Sequence, residues 1–312
     1  MLPAISLGLW QSFGARACEE TSRQVLWAAW TGGITHFDLA NNYGPPPGSA
    51  EEGFGRFLRR DFRSHRDRMI LSTKAGYRMW PGPYGDGGSR KYLIASLNAS
   101  LRRLGTEYVD IFYHHRPDPE TPLEETMGAL ASIVQNGKAL YVGLSNYGAE
   151  EASRALALLR GMGVPCLIHQ PKYNLLSRAP EQALFPLLEK EGIGVMAFSP
   201  LAQGVLAGRY LTDIPFDSRA GRGSPFLSPE KIETDTKLRN LVSRFARLAA
   251  ESGRTPAQMA LAWVLRLPFV TSALIGASRP SQVKECCSSL EAGPLTDSDL
   301  ESLENLFPAS GI

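Results

Sequence analysis

Short apolar runs alternate with amphipathic stretches along the chain. The apolar runs begin at Ile5 (ISLGLW), Thr35 (THFDLA), Met69 (MILSTKA), Val109 (VDIFYHH), Tyr141 (YVGLSN), Cys166 (CLIHQP), Gly194 (GVMAFSP) and Ser272 (SALIGAS). Each is Leu-rich, β-branched or aromatic and bounded by turn residues, which predicts a strand. The stretches between them read as helices. Ser49 with Glu52, and Thr121 with Glu124, have the spacing of capping boxes. The helix after Thr121 closes on Asn136-Gly137, a C-terminal signal. Eight strands, each followed by a helix, predict an α/β chain folded as a parallel (β/α)8 TIM barrel. No composition shift or linker divides the sequence, so residues 1–312 read as one barrel domain. No GxGxxG follows a strand, which argues against a Rossmann dinucleotide fold.

Two stretches interrupt the rhythm. One runs from Met79 to Ser89 after the third strand. The other runs from Gly208 to Lys231 after the seventh and precedes a helix expected around Leu238 to Ala250. Both leave the C-terminal end of a strand, the end at which barrels hold their active sites. Long ordered loops there serve as lids or pocket walls. Trp80 and Tyr84 are the wall residues expected from the first loop.

Composition removes several alternatives. Thirty-three basic residues nearly balance 31 acidic ones, for a net charge of +2. That gives no reason to expect nucleic acid or an anionic membrane as partner. The four cysteines, Cys18, Cys166, Cys286 and Cys287, form no CxxC pair, and a reduced cytoplasmic chain is the expectation. The opening MLPAISLGLW has no basic n-region, and no apolar run approaches membrane-spanning length.

In a barrel the strand C-termini converge on one mouth. Those positions carry Trp10, Asp38, Tyr43, Lys74, His114 or His115, Ser145-Asn146 and Gln170. They also carry Phe198-Ser199 and Gly276-Ala277-Ser278. His36, two residues before Asp38, is expected to point into the barrel core. Reduction of a carbonyl by hydride needs a proton for the nascent alkoxide and donors that stabilise it. A free tyrosine titrates near pH ~10, too high for easy exchange at neutrality. A buried ammonium beside the phenol favours its ionised form, and a carboxylate beside the ammonium keeps it charged. A neutral histidine can hold the carbonyl oxygen. Asp, Tyr, Lys and His at successive strand ends thus make a proton-donating centre that needs no metal.

The segments FDLANNYG, STKAG, VDIFYHHRPD, GLSNY, HQPKYN, FSPLAQGVLAGRY and IGAS resemble the aldo-keto reductase superfamily over nearly the whole chain. NNYGPPPGSAEE, WPGPYG and SRKY resemble the group of bacterial L-glyceraldehyde 3-phosphate reductases, which are similar to potassium-channel β subunits. The resemblance implies NADPH as cofactor and a small aldehyde or ketone as substrate, L-glyceraldehyde 3-phosphate or methylglyoxal among them. It implies a homo-oligomer, a tetramer or larger. It makes Asp38, Tyr43, Lys74 and His115 the catalytic tetrad, with Tyr43 the proton donor. His115 rather than His114 directly precedes Arg116-Pro117-Asp118, where the channel subunits place an Asn.

On the cofactor side the resemblance implies that Trp10 helps wall the site and that Asp38 is among the cofactor-binding residues. Ser145, Asn146 and Gln170 hold the nicotinamide carboxamide, and Phe198 stacks on its ring. Ser199, Pro200, Leu201, Gln203 and Gly204 line the pyrophosphate, with Arg209 and Arg219 nearby. Gly276, Ser278, Arg279, Gln282 and Glu285 take the adenosine end. Ser278 and Arg279 open the last helix, where backbone N–H groups and the dipole favour phosphate. Trp10, Tyr43, Trp80, Tyr84 and His115 are the implied substrate contacts.

Two other readings compete. A metal-dependent barrel hydrolase could use His36, Asp38, His115 and His169 as ligands. It leaves FSPLAQG and IGAS without a purpose and has no use for Tyr43 beside Lys74. An NADPH-binding, redox-sensing subunit with little turnover would not need His115.

Overall fold

The computed structural model describes residues 2–211, 213–215, 218, 220–221 and 234–309. Its strands are β1 (Ile5–Gly8), β2 (His36–Asp38), β3 (Ile70–Ala75), β4 (Val109–His114), β5 (Ala139–Ser145), β6 (Cys166–Gln170), β7 (Gly194–Phe198) and β8 (Val270–Ile275). They pair in chain order, all parallel, and β8 returns to β1 to close a barrel. The ring of helices is α1 (Glu19–Thr31), α2 (Ser49–Arg60), α3 (Arg90–Leu104), α4 (Leu123–Gln135), α5 (Ala149–Gly161), α6 (Leu184–Glu191), α7 (Thr236–Glu251), α8 (Pro256–Val264), α9 (Pro280–Ser288) and α10 (Asp297–Leu306). This is the expected (β/α)8 barrel. The helix opened by Ser278 and Arg279 is α9, and α10 follows it.

Strand alternation divides the core in two. Outward residues such as Leu7, Phe37, Leu71, Phe112 and Val142 pack under the helices in one large cluster. Each contributes roughly 1.5–3 kcal/mol on full burial. Inside the barrel, Ile111, Tyr113, Ile168, Met196 and Leu274 form a second cluster on the β4, β6, β7 and β8 side. The β1–β3 side is polar, with Ser6, His36, Ser72 and Lys74 fully buried. His36 does point into the core. Gly143 on β5 makes room for the Tyr113 ring, because a Cβ there would stand 2.4 Å from a ring carbon.

Both expected capping boxes are corrected. The N-cap of α2 is Gly48, in the left-handed region at φ 88, and Ser49 is the first helical residue. The Ser49 hydroxyl donates to Pro46 O (2.6 Å) and accepts from Ala15 N–H (3.1 Å), tying the segment after β1 to the turn before α2. The N-cap of α4 is Pro122. Its extended backbone leaves Thr121 outside the helix, where the hydroxyl donates to Asp118 (2.7 Å). Capping boxes do form at Thr255/Gln258 on α8 and Thr296/Asp299 on α10. Helix α4 ends as expected, with Asn136 as C-cap and Gly137 at φ 68.

Candidate active site

The C-terminal ends of the strands open into a cavity of about 1310 Å³. Trp10, Tyr43, Tyr77 and His115 line one end of it. Beneath them Lys74 is fully buried on β3. Its ammonium donates to Asp38 Oδ2, to Leu39 O (2.7 Å) and to the Tyr43 hydroxyl (3.4 Å). Burial pulls the Lys74 pKa down, and the Asp38 carboxylate opposes that pull. A buried charge left without its partner costs several kcal/mol, so each member of the pair depends on the other.

His115 stands above this pair. Burial, reinforced by Lys74, holds its pKa well below the usual histidine value, so the imidazole is neutral. Its ring meets Tyr43 at 5.9 Å and Tyr77 edge-on at 4.7 Å between centroids. The backbone carbonyl of His115 accepts from Asn146 Nδ2 (2.9 Å). His114 faces away from the cavity, its Nδ1 bonded to the Tyr147 hydroxyl (2.6 Å). Strand alternation therefore delivers His115, not His114, to the mouth.

The remaining expected cofactor residues follow the cavity wall. Ser145, Asn146, Gln170 and Phe198 line it together with Tyr43 and His115. Ser145 Oγ donates to Gln170 O (2.8 Å), and Gln170 Nε2 reaches Asp38 Oδ1 at 3.4 Å. Ser199, Pro200, Leu201, Gln203, Gly204 and Arg209 continue it. Gly276, Ser278, Arg279, Gln282 and Glu285, from the end of β8 and from α9, also line it. Gln282 Oε1 accepts from the Ser278 N–H (2.8 Å) at the start of α9. Among the described residues, positive φ outside glycine occurs at Tyr84, Asn146, Ser199, Ala202 and Gln203. Asn146, Ser199 and Gln203 are on the cavity wall. Such backbone costs of order 1–3 kcal/mol per residue and persists where the surroundings impose it, often at ligand sites.

Three expected contacts are not brought to the cavity. Asp38 is fully buried, its carboxylate taken by Lys74 and by Ser72 (2.6 Å), so it supports the site from below and does not wall it. Trp80 turns back to pack on Tyr92 at 5.4 Å. Tyr84 lies out in solvent, 56% exposed, with Lys91 4.4 Å over its ring. The wall on that side is Tyr77, the first side chain after Gly76 and so the nearest to the end of β3. Its place in the strand-end series was the available signal. Arg16 and Lys172 also line the cavity without having been expected. Arg219 lies outside the described residues.

The aldo/keto reductase family profile matches residues 4–307. The chain belongs to the aldo/keto reductase family. It is an oxidoreductase of that family. It is 54% identical over 307 residues to the L-glyceraldehyde 3-phosphate reductase of Escherichia coli K12, covering 97% of this chain and 88% of that one. It is 35% identical over 309 residues to an Arabidopsis thaliana protein named as a voltage-gated potassium channel subunit beta, covering 97% and 92%. A Schizosaccharomyces pombe protein named likewise is also 35% identical, with 97% and 89% covered. Among the described residues of this aldo/keto reductase, no group of three or more His, Cys, Asp or Glu gathers to hold a metal ion. No described helix is long and apolar enough to cross a membrane.

Proposed function

We propose that the chain reduces small aldehydes or ketones with NADPH and that Tyr43 donates the proton. The observation that carries this reading is the Tyr43 hydroxyl at the cavity wall, 3.4 Å from a buried lysine ammonium that is itself paired with Asp38. An adjacent cation favours the ionised phenol, which eases release of the proton to a developing alkoxide. The neutral imidazole of His115, beside Tyr43, gives the carbonyl oxygen a hydrogen-bond partner without an added charge.

The residues present fit a dinucleotide. The cavity is about 1310 Å³, and its lining includes Trp10, His115 and Glu285. Phe198 offers a ring face, Ser145, Asn146 and Gln170 offer amide and hydroxyl partners, and Arg209 and Arg279 offer cations. Bound NADPH supplies the hydride. Arg279 as N-cap of α9, with the helix N-terminus behind it, suits a phosphate at the adenosine end.

For the substrate, L-glyceraldehyde 3-phosphate is favoured by the 54% identity to the reductase of that name, with methylglyoxal as the unphosphorylated comparison. Arg16 is a cation available to a phosphorylated aldehyde, since the Ala15 N–H to Pro45 O bond (3.1 Å) holds its loop beside the Tyr43 turn. The free cysteines fit a reducing, cytoplasmic setting. A homo-oligomer, a tetramer or larger, is part of this proposal; the relatives named as channel subunits are themselves named as parts of assemblies. The test is kcat/KM for a panel of small aldehydes, phosphorylated and not, followed by loss of NADPH absorbance. Turnover led by the phosphorylated aldehyde supports the full reading. Absence of turnover with every carbonyl contradicts it.

A further inference from the structure

Four buried polar side chains on the β1–β3 and β8 side of the barrel form one continuous file that ends on Asp38. Ser272 Oγ lies 2.6 Å from Ser6 Oγ, and Ser6 Oγ lies 2.9 Å from His36 Nδ1. His36 Nε2 lies 2.9 Å from Ser72 Oγ, and Ser72 Oγ lies 2.6 Å from Asp38 Oδ1. The other Asp38 oxygen takes the Lys74 ammonium. Ser6, His36, Ser72 and Ser272 are each 0% exposed, so bulk water does not stand in for any of them.

The chemistry of these groups fixes the direction of every bond. Facing the Lys74 ammonium, Asp38 takes the Ser72 O–H on Oδ1. The Ser72 oxygen is then left to accept, and His36 must carry its proton on Nε2. Nδ1 therefore accepts from the Ser6 hydroxyl, and the Ser6 oxygen accepts from Ser272. The opposite tautomer of His36 would draw the Ser72 proton toward Nε2 and strip Asp38 Oδ1 of that donor.

We propose that His36 is a positioning residue for the proton-donating centre: through Ser72 it commits a hydrogen bond to Asp38, which keeps the carboxylate ionised and Lys74 charged beneath Tyr43. This rests on the reading of Tyr43 as proton donor. The titratable and charged groups around the file are Asp38 from β2, Lys74 from β3, Tyr43 from the turn after β2, Tyr113 and His115 from β4, and Glu51 from α2. A hydrogen bond to a charged carboxylate favours the charged form, and charge-assisted bonds are the stronger kind. Their loss loosens the hold on Lys74 and raises the apparent pKa of the group above it.

Two measurements test this. The first is long-range nitrogen–proton correlation of the imidazole rings in the wild-type protein at neutral pH. His36 is expected as the neutral Nε2–H tautomer, and an Nδ1–H tautomer or an imidazolium overturns the proposal. The second is the pH profile of aldehyde reduction, whose alkaline limb in wild type must first be shown to vanish in Tyr43→Phe. Ser72→Ala and His36→Phe are expected to move that limb upward by about one pH unit, roughly the tenfold linked to one charge-assisted bond. His36→Gln, whose amide nitrogen reaches the place of Nε2, is expected to restore the wild-type midpoint. An unmoved midpoint in folded Ser72→Ala, which is the milder change should His36→Phe fail to fold, overturns the proposal. A wild type without turnover, or a limb that survives Tyr43→Phe, instead overturns the proton-donor reading.

Discussion

Tyr77 stands edge-on to His115, the ring centroids 4.7 Å apart and the planes at 85°. Arg116 covers the Tyr77 ring from 5.3 Å and is itself paired with Asp86 (2.8 Å). A side chain that is 38% exposed is thereby held against the imidazole. An aromatic pair of this geometry contributes about 0.5–1.5 kcal/mol beyond its buried area. Tyr77→Ala is expected to lower kcat/KM for small aldehydes about 2- to 13-fold, with Tyr77→Phe near wild type. The NADPH dissociation constant is expected to stay in place. Equal loss of aldehyde and NADPH affinity in the Ala variant would show that Tyr77 supports the whole cavity instead.

Lys74→Met leaves the Asp38 carboxylate fully buried without its cation. Breaking a buried pair from one side costs about 3–5 kcal/mol. Urea denaturation is expected to show a loss of that order, with turnover lost as well. A variant as stable as wild type would mean that Asp38 is not ionised in the folded chain.

How much of this was legible beforehand depended on what each residue's role requires. The strands were legible because apolar runs bounded by turn residues leave few alternatives, and strand order then placed Asp38, Tyr43, Lys74 and one of His114 and His115 at one mouth, the family resemblance choosing His115. Side-chain direction beyond the strand ends was less legible. Trp80 and Tyr84 sit in a loop whose course depends on packing, and Trp80 buries itself on Tyr92 while Tyr77 takes the wall. Helix starts failed for a related reason. Ser49 and Thr121 have the right spacing, but the helices start one residue away from where that spacing puts them: the chain enters α2 through a left-handed Gly48, which makes Ser49 already helical, and enters α4 through Pro122, which leaves Thr121 outside. Asp38 was read as the carboxylate beside Lys74, and the pair is there, but its expected contact with the cofactor is not, since its carboxylate is turned to Lys74 and Ser72 and it does not line the cavity. The polar file behind it needs four strands in register and could not be read from any one of them.

The cofactor preference should reside where α9 lines the cavity. Arg279 is exposed at the N-cap of α9 and lines the cavity there. A charge-assisted bond to a 2′-phosphate, about 1.5–3 kcal/mol, corresponds to a preference for NADPH over NADH of roughly 10- to 150-fold. Arg279→Ala is expected to erode that preference by weakening NADPH with little effect on NADH. Fluorescence titration of both cofactors reads it, and equal wild-type affinities would contradict the assignment.

Acid should destabilise the fold through its interior histidines. Burial lowers His36, His114 and His169 from 6.5 to about 4. Between those values the unfolded chain binds more protons than the folded one, so stability rises with pH across the window. It is fully present above the unfolded value and is lost as pH falls from about 6.5 toward 4. The loss is on the order of 1–2 kcal/mol for each imidazole by pH 5. Urea unfolding at a series of pH values is expected to show a steep decline below pH ~6.5. A flat profile down to pH ~5 would contradict the burial of these rings as neutral groups.

The central claim is that Tyr43 gives its proton to the reduced carbonyl, and the direct measurement is single-turnover reduction by Tyr43→Phe with NADPH bound. The ring remains to pack against Trp10 and His115, so NADPH affinity and thermal stability are expected to match wild type. The rate of the chemical step is expected to fall by at least ~10²-fold, the scale set by a positioned general acid. A Phe variant that binds NADPH normally and reduces aldehyde at close to the wild-type rate would contradict the claim.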